Sequence, residues 1–274
     1  MNRLVPHKVK KTPKTIFKYE GFTVQSLLNL KKNSVYFGSP QNFNDPYDCA
    51  IKASIAEPTP EEIERVKKYF MSKPDIPAHV KTDLKITSPQ ELKRLMLKAA
   101  TKALRDDREN FLSNSGVTCF SEVKDDLLMW SHYGGQYKGF CLEFHTEYEP
   151  FNKLRYVKYV LDMPTLRIDT VIDNKEQIFD LYHTKSKAWE YEQEWRGFHE
   201  KAGTLFFYKP EALKAVYFGP DIERQALEIV CLILAGQNPD VELWEGKRSE
   251  TEFKTQFSFF TYTSHIKAKQ KGLL

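Results

Sequence analysis

Apolar and polar positions alternate most legibly between residues 117 and 144, VTCFSEVKDDLLMWSHYGGQYKGFCLEF. The short apolar run 117–120 predicts a strand that reaches a polar corner at Ser121. An acidic loop follows, then one turn of helix carrying Leu127 to Tyr133, broken by Gly134 and Gly135. From 139 to 144 the period becomes two, which puts Phe140, Leu142 and Phe144 on one face of a strand and Cys141 and Glu143 on the other. The same reading predicts strands at 15–19, 35–38, 155–161, 205–208, 215–218, 241–244 and 253–260, and a helix over 24–32.

Residues 57–113 change to a charged, helical character. In TPEE, Thr59 is the expected N-cap, Pro60 the first helical residue and Glu62 the capping-box partner, and Ser88, Pro89 and Glu91 repeat the device. Leu92, Leu95, Met96, Ala99 and Ala103 mark one apolar face, and Pro74 and Pro77 separate the helices. A further helix is expected to begin at Asn174, and another at Asp221 with Ala226, Ile229, Val230 and Ile233 inward. The pattern predicts an α+β fold, a mostly antiparallel split sheet with flanking helices. It is read as one domain over 15–264 with a helical insertion at about 57–115, between basic tails at 1–14 and 265–274.

Composition narrows this picture modestly. A chain of 274 residues buries enough surface to need no disulfide or metal staple. The four cysteines are widely spaced and form no CxxC pair, and no leader or long apolar segment is visible. A cytoplasmic protein without a membrane span is therefore the expectation. A net charge of +4 is too mild to argue nucleic-acid binding alone.

Candidate chemistry centres on Ser121, His132 and Glu143. A Ser-His-acid triad lacks the GxSxG elbow that would support it. Asp45, Asp48, His132, Glu143 and Glu194 could in principle supply hard ligands to Mg²⁺ or Mn²⁺, the basis of a metal-dependent nuclease reading, yet no HExxH or paired-aspartate spacing accompanies them. In NFNDPYD, Asn44, Asp45 and Asp48 suit either turn chemistry or a rigid polar corner. Glu192 and Glu194 are two apart, so an extended backbone would aim both carboxylates to one face, where they need a compensating group or pair with Arg196 or Lys187.

FKY at 17–19, VYFGSPQNFNDPYD at 35–48, CFSEVKDDLLMWSHYGGQYKGFCLEF at 119–144, WEYEQEWR at 189–196 and VYFG at 216–219 together resemble an uncharacterised bacterial family, a domain of unknown function. More distantly the chain is similar to ADP-ribosyltransferase-like folds of toxin and phage-defence proteins. That resemblance implies NAD as co-substrate and a nucleic-acid or protein acceptor. It implies Lys18 or Tyr19 as the first-strand element, where the family usually has His or Arg, then Ser121 on the central strand and the EQE glutamates late in the fold. On this reading Glu194 stabilises the ribosyl cation, Glu192 orients the acceptor or acts as its base, and Ser121 with Tyr133 or Trp130 holds the nicotinamide, although the WSH turn favours Trp130 as a residue locked in the core. Lys18 or Arg196 meets the pyrophosphate, and His132 serves the acceptor side or is a buried orienting residue. The rival reading is a non-enzymatic nucleic-acid- or protein-binding module that uses the basic termini and exposed aromatics.

Overall fold

The computed structural model describes residues 10–173, 175–270 and 272. The chain forms two compact units. One is built from Ser39–Ser115 and Lys158–Lys187, and the other from Lys10–Gly38, Gly116–Val157 and the chain from Ala188 onward.

The large sheet of the second unit has eight strands: β1 (Thr15–Glu20), β2 (Gly116–Ser121), β3 (Phe140–His145), β4 (Arg155–Tyr156), β5 (Glu194–His199), β6 (Leu213–Phe218), β7 (Glu242–Arg248) and β8 (Thr255–Phe260). Their order is β8-β7-β6-β3-β1-β2-β5-β4. Only β6 and β7 run parallel, joined by the helix Arg224–Gln237, and the other neighbours are antiparallel. This is a mixed α+β architecture with a large, mostly antiparallel sheet.

Alternation assigns the two faces of this sheet. Ile16, Phe120, Phe140, Leu142, Phe144, Trp195, Val216 and Phe218 point to one face, where Leu227, Val230, Cys231 and Leu234 of the helix Arg224–Gln237 cover them. Helical period had favoured Ile229 as inward, but Ile229 is 43% exposed, and the buried stripe lies on Leu227, Val230, Cys231 and Leu234. Phe17, Tyr19, Cys141, Ala215 and Tyr217 point to the opposite face, against Met129 and Trp130. That second face carries the chemistry described below.

The helical unit holds Pro60–Ser72, Ala78–Ile86 and Pro89–Asn114. Thr59 forms the full capping box with Glu62. Ser88 accepts from the Glu91 amide, whereas the Glu91 carboxylate turns to Arg94. The buried stripe of the long helix is Leu92, Met96 and Ala100, packed with Ile63, Val66 and Ile168, while Leu95, Ala99 and Ala103 face solvent. In the NDPYD turn the Asp45 carboxylate accepts from the Tyr47 amide at 2.9 Å, and Asp48 pairs with Lys185 at 3.2 Å.

Where they are described, both termini are largely exposed but make contacts with the rest of the chain. Residues 1–9 lie outside the described residues, as does Asn174. Lys10 pairs with Glu122 at 2.6 Å and sits over the Tyr156 ring, and the Lys14 carbonyl accepts from the Thr146 amide. Toward the other end, His265–Gln270 is a short helix with Ala268 buried. No helix among the described residues is long and apolar enough to cross a membrane.

Candidate functional site

The site begins where β2 ends. Asp126 caps the short helix Leu127–His132 by accepting from the Met129 amide at 3.0 Å. Trp130 pegs that helix to the sheet. Its indole N–H donates to the Lys124 carbonyl at 2.8 Å, and its ring meets Tyr19 edge-on at 5.1 Å. The chain then turns tightly over the indole, and a Cβ on Gly134 would lie 2.5 Å from a Trp130 ring carbon. This is why glycine stands there.

The second wall comes from the other end of the chain's central region. Lys187–Glu192 forms a 3₁₀ turn, Gln193 adopts a left-handed φ of 43°, and β5 starts at Glu194. Ser121 joins the two walls: its hydroxyl donates to the Glu192 carbonyl at 2.6 Å and accepts from the Val123 amide at 3.1 Å. Above this buried link the side chains face each other. Tyr133 Oη donates to Glu192 Oε1 at 2.6 Å, His132 Nδ1 and Tyr191 Oη hydrogen-bond at 2.9 Å, and the His132 and Trp189 rings lie 6.1 Å apart. His132 is exposed, and Tyr133, Trp189 and Tyr191 are half-buried. One imidazole, two phenols and one indole thus form a single rim, with the buried Glu192 carboxylate, 2% exposed, bonded to its Tyr133 edge.

Several sequence expectations are corrected by this geometry. Glu192 and Glu194 do not lie on one extended segment, because the 3₁₀ turn and the left-handed Gln193 rotate one away from the other. Glu194 takes the other alternative, the pair with Arg196, with bonds of 2.7 and 2.8 Å, and both are buried. Residues i and i+2 of a strand share a face, so the pair is local and bidentate. A fully buried guanidinium is not placed to meet a pyrophosphate. Trp130 is 0% exposed and presents no ring face for stacking a ligand, so of its two readings the core-locking one holds.

Lys18 and Tyr19 are consecutive in β1 and so diverge. The Lys18 ammonium bonds the Cys119 carbonyl at 3.3 Å and lies 5.2 Å from the centre of the Phe120 ring. The Tyr19 hydroxyl donates to the Val123 carbonyl at 2.9 Å, and burial pushes its phenol well above the ordinary range. Ser121 is 0% exposed and its hydroxyl serves the backbone, so neither a triad with His132 nor a direct hold on nicotinamide matches its contacts. His132 is not the buried, backbone-bonded residue that one reading allowed. Of the residues singled out from sequence, the rim retains His132, Tyr133 and Glu192. It adds Trp189 and Tyr191, whose signal was the aromatic spacing of WEYE.

Glu143 lies elsewhere on the same sheet face, accepting from Lys214 at 2.9 Å and Tyr217 Oη at 2.7 Å. Burial works to raise its pKa, but these hydrogen bonds prevail and hold the carboxyl below its usual range. Burial and the bond to Glu143 push the Tyr217 phenol far above its own. Among the described residues, no group of three or more His, Cys, Asp or Glu side chains is arranged to hold a metal ion.

Residues 129–197 match the model of a family described as Protein of unknown function (DUF2971). That segment is therefore similar to an uncharacterised family, in keeping with the resemblance its motifs carry. The match runs from Met129 into β5, and so contains His132, Tyr133, Trp189, Tyr191 and Glu192. No curated protein and no solved structure matches the chain.

Proposed function

We propose that the protein cleaves NAD or transfers its ADP-ribosyl group, with Glu192 rather than Glu194 as the working carboxylate. The observation that carries this reading is the buried Glu192 carboxylate, bonded to Tyr133 beside the pair of exposed His132 and half-buried Tyr191. Cleavage breaks the bond between ribose C1′ and the pyridinium nitrogen. The electron pair leaves with nicotinamide, and positive charge grows on the ribose. A carboxylate aimed at that ring or its 2′-hydroxyl binds the transition state more tightly than the ground state. Water or an acceptor nucleophile then forms the new bond to C1′, and His132 takes its proton. Trp189 and Tyr191 offer ring faces to the nicotinamide. Glu194 is already neutralised by Arg196, which leaves it little to offer a developing cation. The toxin or phage-defence setting rests on the resemblance alone.

The test is nicotinamide release from NAD by the wild type, Glu192→Gln and Glu194→Gln. Glu192→Gln keeps an acceptor for the Tyr133 hydroxyl, so folding is preserved, and the rate should fall roughly 10²–10⁴-fold, the range of a positioned acid or base. A Glu192→Gln enzyme with the wild-type rate would overturn the assignment.

A further inference from the structure

We infer that an open groove on the second face of the sheet, about 610 Å³ in volume, is a separate binding site for an amino-purine nucleoside monophosphate. This goes beyond the proposed reaction and uses none of its residues.

The floor is aromatic because of register. Tyr217 in β6 pairs with Trp244 in β7, and Trp244 pairs with Phe259 in β8, so their side chains form a row across three strands. The Tyr217 and Trp244 rings lie nearly parallel, 18° apart with centroids 6.0 Å apart, and Phe257 meets Tyr217 edge-on at 5.0 Å. Trp244 is only half-buried, so part of its indole remains available in a cavity of the size that small ligands occupy.

Charge then selects the ligand. Lys214 is committed to Glu143, and Lys254 to Glu252 at 2.8 Å. Lys124 lies 5.4 Å from the centroids of both Phe17 and Tyr217, and among the described residues no carboxylate pairs with it, although Asp125 beside it also lines the groove. A lone ammonium held among rings at the groove wall is a seat for an anion. Glu242 accepts from the Trp244 indole at 3.1 Å and leaves its second oxygen for a further donor. Thr255 lines the groove with its hydroxyl buried and unpartnered, a polar group that the protein alone leaves unsatisfied. A ring that stacks on Trp244, donates an amino group to Glu242 and carries a phosphate to Lys124 meets the ring face, the carboxylate and the ammonium, and its remaining polar atoms face the groove that Thr255 lines. A simple cation meets the lysines, and an apolar ligand strands the charges.

Calorimetric titration with AMP tests the site, with adenosine and inosine monophosphate as comparisons. We expect saturable AMP binding. Lys124→Met and adenosine should each bind roughly tenfold more weakly for lack of the charge-assisted contact. Trp244→Ala should lose roughly tenfold or more with the stacking face. Inosine monophosphate, lacking the amino donor, should also bind more weakly. Trp244→Phe keeps a ring and should recover most of the affinity, which separates stacking from damage to the fold. Glu192→Gln should bind AMP like the wild type, so the groove and the rim can fail independently. No heat at millimolar AMP, or binding indifferent to both Lys124→Met and Trp244→Ala, would overturn the proposal.

Discussion

Glu194 and Arg196 show how little a residue's identity says before its partner is known. Two buried opposite charges in bidentate contact offset one another's desolvation, and removing one withdraws that compensation from the other. Glu194→Gln should therefore destabilise the protein, by up to about 3–5 kcal/mol, measured by denaturant unfolding. A variant with wild-type stability would show that the pair is not needed to neutralise Arg196. Glu143 makes a second prediction at this scale. Its pKa is held below the unfolded value, so its contribution to stability is present above that value and is lost as pH falls through the folded one. Acid melts of the wild type should thus lose stability below about pH 4.5, near the ordinary glutamate value, and Glu143→Gln should flatten that part of the profile. An unchanged profile would contradict the assignment. The exchange of roles between Glu192 and Glu194 could not be read from EQE itself, because one left-handed residue, Gln193, decides which way each carboxylate points.

Among the elements, the short helix Leu127–His132 is held less by its own six residues than by one indole. A helix this short is not stable alone in water. Trp130, buried against Tyr19 and Phe257, supplies the tertiary anchor, and Gly134 makes room for it. Gly134→Ala should push a methyl group into the Trp130 ring and cost about 1–3 kcal/mol, as overpacking does. A melting temperature unchanged by Gly134→Ala would show that the turn has slack which the geometry denies. This helix, the glycine break and the faces of β3 were legible from period and punctuation. Thr59 and Glu62 were legible as well, since a capping box is a local device. The buried stripes on the longer helices were less so. Leu95 and Ile229 fit an apolar period as well as their neighbours do, and only the packing partners choose between adjacent positions.

At the scale of the whole molecule, long-range pairing decides what local pattern leaves open. The helices of 60–114 read in sequence as an insertion. In the fold they share a unit with 158–187, where Ser54–Ile55 pairs in parallel with Thr165–Leu166 and Ile168 enters the helical core. Nothing local announces a pairing across more than a hundred residues. The rim has the same origin, since its walls, Leu127–His132 and Lys187–Glu192, meet only once β2 and β5 are neighbours. WEYE was therefore visible as a motif, but its partner was not. The measurement that bears most directly on the account is nicotinamide release from NAD by wild type and Glu192→Gln, each checked for an intact melting transition. The account predicts turnover by the wild type and its loss in the folded variant. Folded wild-type protein that leaves millimolar NAD untouched, or a Glu192→Gln variant that turns it over at the wild-type rate, would contradict it.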